Sequence, residues 1–256
     1  MPARASEINS VQKACRILRS LTEPNVSRLS EVAIEAGLNK VTTLRILEVL
    51  SREGFVRRDA RSKTYSLGSE VLILAAALQD RDDLRIRARP SLLRLAARFG
   101  DSVLLSVRSG AMESVCVDRV VGDFPIRANY IELGSRRPLG IGAGPMALLA
   151  WRPDSEIEVI LPLVAPRLAN YPKITLPWLQ QEIRDSRGRG HALFLNMLVE
   201  QMSGVGVPIL SPDGNSVGAL SIAAITERIS SRLNELVETL RREAKVIENS
   251  WFAHEK

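Results

Sequence analysis

The chain has 256 residues, 45% of them apolar and 25% charged, an ordinary balance for a globular protein with a core and enough for one large domain or two small ones. Two cysteines make no disulfide framework and suit a reducing cytoplasm; the N-terminus lacks the apolar stretch of a signal peptide, and the longest apolar run, near 71–78, is too short to span a bilayer. The net charge of +6 is unevenly placed, since residues 1–68 hold 12 Lys and Arg against 7 Asp and Glu while the remainder holds 23 against 22.

Residues 1–7 are polar. From Ile8 to Leu21 the spacing predicts an amphipathic helix ended by Pro24, with Val11, Ala14, Cys15, Leu18 and Leu21 inward and Cys15 a small buried hydrophobe. Leu29 to Gly54 then reads as two short helices with a tight turn. Leu29, Val32, Ala33 and Ala36 make the apolar stripe of the first, with Ser27 as its N-cap and Gly37 at its end. Asn39 can cap the second, whose inward stripe is Thr43, Ile46, Leu47 and Leu50, and Gly54 ends it.

Two short helices joined through a glycine suggest a helix-turn-helix, whose second member lies in the DNA major groove, although an ordinary αα-hairpin has the same pattern. At about 100° per residue, Val41, Leu44, Arg45, Glu48 and Arg52 point away from the inward stripe, with Lys40 and Thr42 at the N-terminal flank. Arg45 can pair bidentately with guanine, Thr42 can bond a base or a phosphate, and Val41 or Leu44 can pack on thymine methyls. Phe55–Gly68 has two β-prone segments around a polar turn at 59–62, a hairpin carrying Arg57, Arg58, Arg61 and Lys63. A basic hairpin after a recognition-type helix makes a winged helix. These four cations and Arg28 are candidate phosphate contacts, and the N-terminal charge excess lies on this segment, where phosphate neutralisation needs it.

Ser30–Ala33, Gly37–Leu38, Lys40, Thr42, Arg45, Leu47, Leu50, Gly54 and Tyr65–Gly68 carry a resemblance to the IclR family of bacterial transcriptional regulators. One position departs from it: the family usually places Ser where this chain has Val41, which removes a hydroxyl contact. The greasy helix from Ser69 to Gln79, EVLILAAALQ after its Ser cap, is apolar on most sides and is expected to be buried on more than one face. The resemblance implies that it links two domains and helps form a dimer; the alternative is simple burial inside one domain. A further helix, 83–99, contains Pro90, which should kink it or start a new segment. Its arginines (Arg81, Arg85, Arg87, Arg89, Arg94 and Arg98) look like a second nucleic-acid patch but are read as a solvated face, partly balanced by nearby acids.

From Asp101 the period changes to two. Strands are predicted at 102–110, 113–122 and 125–133, then a Gly-rich loop running into a helix (PLGIGAGPMALLAW), helices at about 154–161 and 175–187, strands at about 191–195, 204–210 and 216–224, and a closing helix from Ser230 to about Phe252. Strands, helices and strands again suggest an α+β or α/β domain with a central antiparallel sheet. The IclR resemblance continues through Gly134, Arg137–Leu139, Ala143–Gly144, Ala147–Ala150, Arg189–Gly190, Gly206–Pro208 and Ala219–Ser221, and it implies a GAF-like effector-binding domain. The expected organisation is therefore α+β in two domains: a winged helix-turn-helix at 1–68, a linker helix at 69–81 and a GAF-like α/β effector-binding domain at 82–256.

The chemistry of enzymes is hard to find. The loop Gly140–Gly144 is no dinucleotide fingerprint, because Pro145 occupies the third glycine position and the flanking strands look like meanders. Its glycines more readily let backbone approach a small ligand. A Cys116–His191 dyad is left open by the sequence, but alternation places Cys116 in a strand with Ser114 and Asp118, where a buried thiol is the better reading. No His, Cys or carboxylate cluster offers a zinc site, and no cofactor is expected.

The resemblance implies a small-molecule pocket lined by Gly142, Ala143, Gly144, Phe194, Met202, Gly204, Ser221 and Ala223. Family members that bind small oxo-acids present a carboxylate where Phe194 stands. Phe194 with Met202 makes a greasier lining that suits an aromatic or largely apolar effector, though both residues could be plain core. The expected protein is a cytoplasmic regulator binding a pseudo-palindromic double-stranded operator as a homodimer or dimer of dimers. An architectural DNA-binder without a ligand and an enzyme using the C-terminal pocket are the alternatives.

Overall fold

The computed structural model describes residues 9–79 and 84–252. The expectations for residues 1–8, for Arg81 and for the start of the second linker-region helix at Asp83 lie outside the described residues. The chain divides into two compact units, 1–81 and 82–256.

In the first unit, α1 spans Ser10–Ser20 and α2 Leu29–Glu35, followed by α3 at Lys40–Arg52. Asn9 caps α1 in a reciprocal box: its side chain accepts from Gln12 N at 2.8 Å and Gln12 accepts from Asn9 N at 2.9 Å. The buried face of α1 is not the expected one. Ile17 and Ser20 are buried, Leu18 and Leu21 are half-buried, and Val11 and Cys15 are exposed. Only the C-terminal half of α1 packs on the core, and its contact line runs through Ile17, about 60° round from the stripe counted on Ala14.

Helix α2 starts at Leu29 as expected, but its cap differs. Arg28, not Ser27, is its N-cap, and the Glu31 carboxylate reaches back to accept from Ser27 N and Arg28 N at 2.9 and 2.8 Å. Those two N–H groups hold the Glu31 carboxyl below its ordinary range. Asn39 caps α3 as expected, accepting from Thr42 N at 2.8 Å, and Gly37 and Gly54 take the left-handed conformation at φ +64° and +75°. Val32, Ala36, Leu47 and Leu50 close with Ile17, Val56 and Tyr65 into one small core.

The wing is a short antiparallel pair, β1 (Val56–Arg58) with β2 (Tyr65–Leu67), in register Val56↔Leu67. Its turn is built by Asp59, whose side chain accepts from Arg61 N and Ser62 N. Tyr65 N donates to Ser27 O at 2.6 Å, which ties the wing to the chain entering α2. Helix α4 follows at Ser69–Gln79. Contrary to expectation its apolar residues Leu72, Ile73 and Leu74 are 73%, 57% and 53% exposed, outside the small core that Ile17, Val32, Ala36, Leu47, Leu50, Val56 and Tyr65 form.

The second unit is a six-stranded sheet in the order β5-β4-β3-β8-β7-β6, antiparallel throughout. The strands are β3 (Ser102–Ser109), β4 (Glu113–Val120), β5 (Arg136–Pro138), β6 (Ala192–Leu195), β7 (Met202–Leu210) and β8 (Ser216–Ile225). The segment 125–133 is not the expected strand. It forms turns that bring Ala128, Tyr130 and Ile131 over one sheet face, and the edge strand comes later, at Arg136–Pro138.

Alternation along the central strands divides the two faces. Val103 and Leu105, Val205, Val207 and Ile209, and Leu220, Ile222 and Ala224 face α5 (Leu84–Phe99) and α10 (Leu233–Phe252). Pro90 lies within α5 without ending it, and α10 is preceded by the short α9, Thr226–Ser230. The opposite face carries α6 (Ala143–Ala150), with α7 (Asp154–Val164), a 3₁₀ turn and α8 (Leu176–Arg189) outside it. On that face β7 presents Gly204 and Gly206. A Cβ on Gly206 would lie 2.6 Å from Ala143 O, so the glycine is what lets α6 sit against the sheet.

Candidate functional site

In the first unit, Lys40, Val41 and Arg45 on α3 are exposed, Val41 at 71%, while Thr42 and Leu44 are half-buried. Thr43, Leu47 and Leu50 hold the other side of the helix in the core. Arg28 at the start of α2 and Arg57, Arg58, Arg61 and Lys63 on the wing are exposed too. Arg58 lies over the Tyr65 ring at 5.7 Å, and Lys63 takes a left-handed conformation, φ +57°, in the wing turn. Among the described residues none of these seven cations is held in an ion pair.

The arginines of α5 are built differently. Arg89, Arg94 and Arg98 pair with Asp118, Glu243 and Glu235 at 2.5–2.8 Å, carboxylates brought in from β4 and α10. That patch is used to join elements, and its balance comes from acids far away in the sequence.

In the second unit, Gly142, Ala143, Gly144, Phe194, Met202, Gly204, Ser221 and Ala223 line a single pocket of roughly 610 Å³, open mouth included. Its floor is the α6 face of the sheet, one wall is the first turn of α6, and the turns at 130–135 form another. The apolar lining is Leu104, Ile131, Phe194, Met197, Leu198 and Met202. Phe194 is buried and meets Trp178 edge-on at 5.3 Å between ring centres.

Several lining residues escaped the sequence reading, above all Tyr130, Ser106 and Arg137. The one sequence hint was a second arginine before Pro138, but its direction depends on β5 pairing with β4, Arg137 opposite Ser114. Burial pulls the Arg137 pKa below its ordinary value. The guanidinium lies over the Tyr130 ring at 5.4 Å.

Cys116 also lines the pocket, and burial pushes its thiol up to about 11. Asp118 does not share its direction as alternation required. The β3–β4 register shifts between Leu105 and Ser106, which face Asp118 and Cys116; Val117 is the extra residue, and the bulge turns Asp118 to Arg89 on the α5 side. The Cys116–His191 dyad has no geometric basis. The strand bearing Cys116 and the one that His191 leads into are four positions apart in the sheet order, about 19 Å at ordinary strand spacing. The Gly140–Gly144 loop joins an antiparallel edge strand to α6, with no parallel βαβ unit around it. Among the described residues no group of three or more His, Cys, Asp or Glu is placed to hold a metal; His254 lies outside them. No described helix is long and apolar enough to cross a membrane.

The IclR helix-turn-helix domain model matches residues 10–60, and the model of the bacterial transcriptional regulator IclR C-terminal region matches residues 76–249. The chain belongs to the IclR family. The IclR-family regulator KipR of Bacillus subtilis is 30% identical over 234 residues, 91% of this chain and 92% of that protein. A crystal structure of a regulator of the family from Alicyclobacillus acidocaldarius superimposes with a TM-score of 0.79 at 26% identity, covering 94% of this chain and 98% of that one. An IclR homologue from Microbacterium hydrocarbonoxydans, complexed with 4-hydroxybenzoate, shares the fold with a TM-score of 0.77 at 22% identity over 96% of this chain and all of that one. As an IclR regulator the chain has a DNA-binding helix-turn-helix and a C-terminal effector-binding domain, in a family whose members bind DNA operators and small-molecule effectors and are not enzymes.

Proposed function

We propose that this IclR regulator reads its operator with Lys40, Val41, Thr42, Leu44 and Arg45 on α3, while Arg28, Arg57, Arg58, Arg61 and Lys63 take phosphates. Exposure of those cations, with none spent on an ion pair among the described residues, supports the reading. The effector occupies the pocket under α6 and is aromatic or largely apolar. The observation that carries this is the apolar part of the lining: Leu104, Ile131, Phe194, Met197, Leu198 and Met202 offer more apolar surface than a two- or three-carbon oxo-acid can cover. The Microbacterium homologue complexed with 4-hydroxybenzoate supports the aromatic reading. Ligand changes operator affinity only through different affinity for the DNA-competent and incompetent arrangements.

Calorimetry on the purified protein should show binding of aromatic ligands and none of glyoxylate or pyruvate; the reverse order would remove the apolar-effector reading. The exposed apolar run on α4 supports a homodimer or dimer of dimers, with α4 in the linker 69–81 burying it against a second copy. In sedimentation, Leu72→Glu should shift the protein toward monomer and weaken operator binding; an unchanged assembly would place the interface elsewhere.

A further inference from the structure

Arginines of the second unit are mostly matched to carboxylates: Arg108 and Arg152 to Glu156, Arg136 and Arg167 to Glu113, Arg189 to Glu182, and Arg228 and Arg232 to Asp101. Arg137 is not. It is half-buried, and its guanidinium has no hydrogen-bond or ion-pair partner among the described residues and rests only on the Tyr130 ring. The Tyr130 ring lies under its charge at 5.4 Å, the Cys116 thiol lines the same pocket, and among the described residues no Asp or Glu lines it. A cation held partly out of water with no counterion beside it is open to an incoming anion.

Two more polar groups are left open beside it. Ser106 and Ser221 are more than nine-tenths buried, and neither hydroxyl has a partner among the described residues, whereas Ser114 and Ser203 each have one. Both open hydroxyls crowd Gly144, where a Cβ would lie 3.0 and 3.1 Å from them. Arg137 Nη1 is 3.2 Å from where a Cβ on Gly142 would stand. The guanidinium and the two hydroxyls therefore converge on the first turn of α6, the end of the helix dipole that favours negative charge.

We infer that the pocket takes a ligand with a single carboxylate, held by Arg137 beside the first turn of α6 with Ser106 and Ser221, and with its apolar body against Leu104, Ile131, Phe194 and Met202. The inference rests on reading this pocket as the effector site. Among the described residues Arg137 is the only cationic side chain lining it, which favours a monoanion over a phosphate dianion or a dicarboxylate. The planar guanidinium fork matches a carboxylate in two parallel hydrogen bonds.

The test uses the full chain and matched pairs of probes: benzoate with benzamide, phenylacetate with phenylacetamide, hexanoate with hexanamide. Wild type should bind at least one acid about ten-fold or more tighter than its amide, the size of a charge-assisted hydrogen bond. Arg137→Gln should abolish that preference and leave amide affinity unchanged, and Arg137→Lys should restore part of it. Because the guanidinium has no hydrogen-bond or ion-pair partner among the described residues, ligand-free Arg137→Gln should melt no more than about a degree below wild type. Equal binding of acid and amide, acid binding untouched in Arg137→Gln, no acid bound at all, or a ligand-free melting temperature lowered by several degrees would each overturn the inference. Operator affinity read on the same samples separates the two claims. An acid bound through Arg137 that leaves operator affinity unchanged sinks the effector reading and keeps carboxylate recognition; neutral ligands that alone shift operator affinity do the reverse.

Discussion

Arg45 stands exposed on α3 with its fork unengaged, and what it gains depends on the base it meets. A bidentate pair with guanine is worth about 1–3 kcal/mol of discrimination. Arg45→Ala should therefore cost about that much on the operator and relax the preference at one base pair, measured by competition with single-position operator variants. The two cysteines make a contrast of the same kind. Cys15 is exposed, while Cys116 is buried with its thiol raised to about 11. Thiolate is the reactive form, so at pH 8 only about one Cys116 in a thousand is available. Iodoacetamide at that pH should modify Cys15 readily and leave Cys116 until the chain is unfolded; rapid labelling of both under native conditions contradicts this placement. The sequence misled here because the helical stripe through Cys15 looks complete, and only the packing of Ile17 shows that α1 is turned away from it.

Helix α6 is buried along its whole length, and its position depends on glycines of another element. Gly204 and Gly206 occupy the side of β7 where Val205 and Val207 do not, so the strand offers the helix bare backbone. Gly206→Ala would drive a methyl into Ala143 O and Ala143 C, a stiff obstacle because both are main chain. Overpacking of this kind costs about 1–3 kcal/mol, and here it also lifts the wall of the pocket. Urea unfolding should show that loss, together with weakened ligand binding. The alternation that sorts β3, β7 and β8 was legible in the sequence. The bulge at Val117 was not, since a single extra residue in β4 is visible only against β3, and it turns Asp118 to the opposite face. The segment 125–133 failed for a related reason. Its residues are strand-like in composition, but the edge of the sheet is taken by Arg136–Pro138.

Charge separates the two units at the scale of the whole molecule. Nearly all of the +6 belongs to residues 1–68, and the α5 arginines that could have formed a second basic surface include three engaged with Asp118, Glu235 and Glu243. Nonspecific duplex affinity should then come from the first unit. Arg58→Ala should weaken binding to all sequences alike and lower the slope of log K against log salt by about 1, whereas Arg94→Ala should leave that slope unaltered. A salt titration of the three proteins on operator and random duplex decides it.

Local interactions were enough to specify much of this protein from its sequence. The helix-turn-helix follows from 3.6-residue periodicity, the Asn39 cap and left-handed glycines at 37 and 54, and the wing from a polar turn between β-prone segments. Motif order also carried the family, and with it a set of residues far apart in the chain that share one pocket. The partner of each arginine, the direction of Asp118 and the isolation of Arg137 were decided by the tertiary structure. Such properties depend on which strand lies beside which and on which acids distant segments deliver, and neither is written in the spacing of any one stretch.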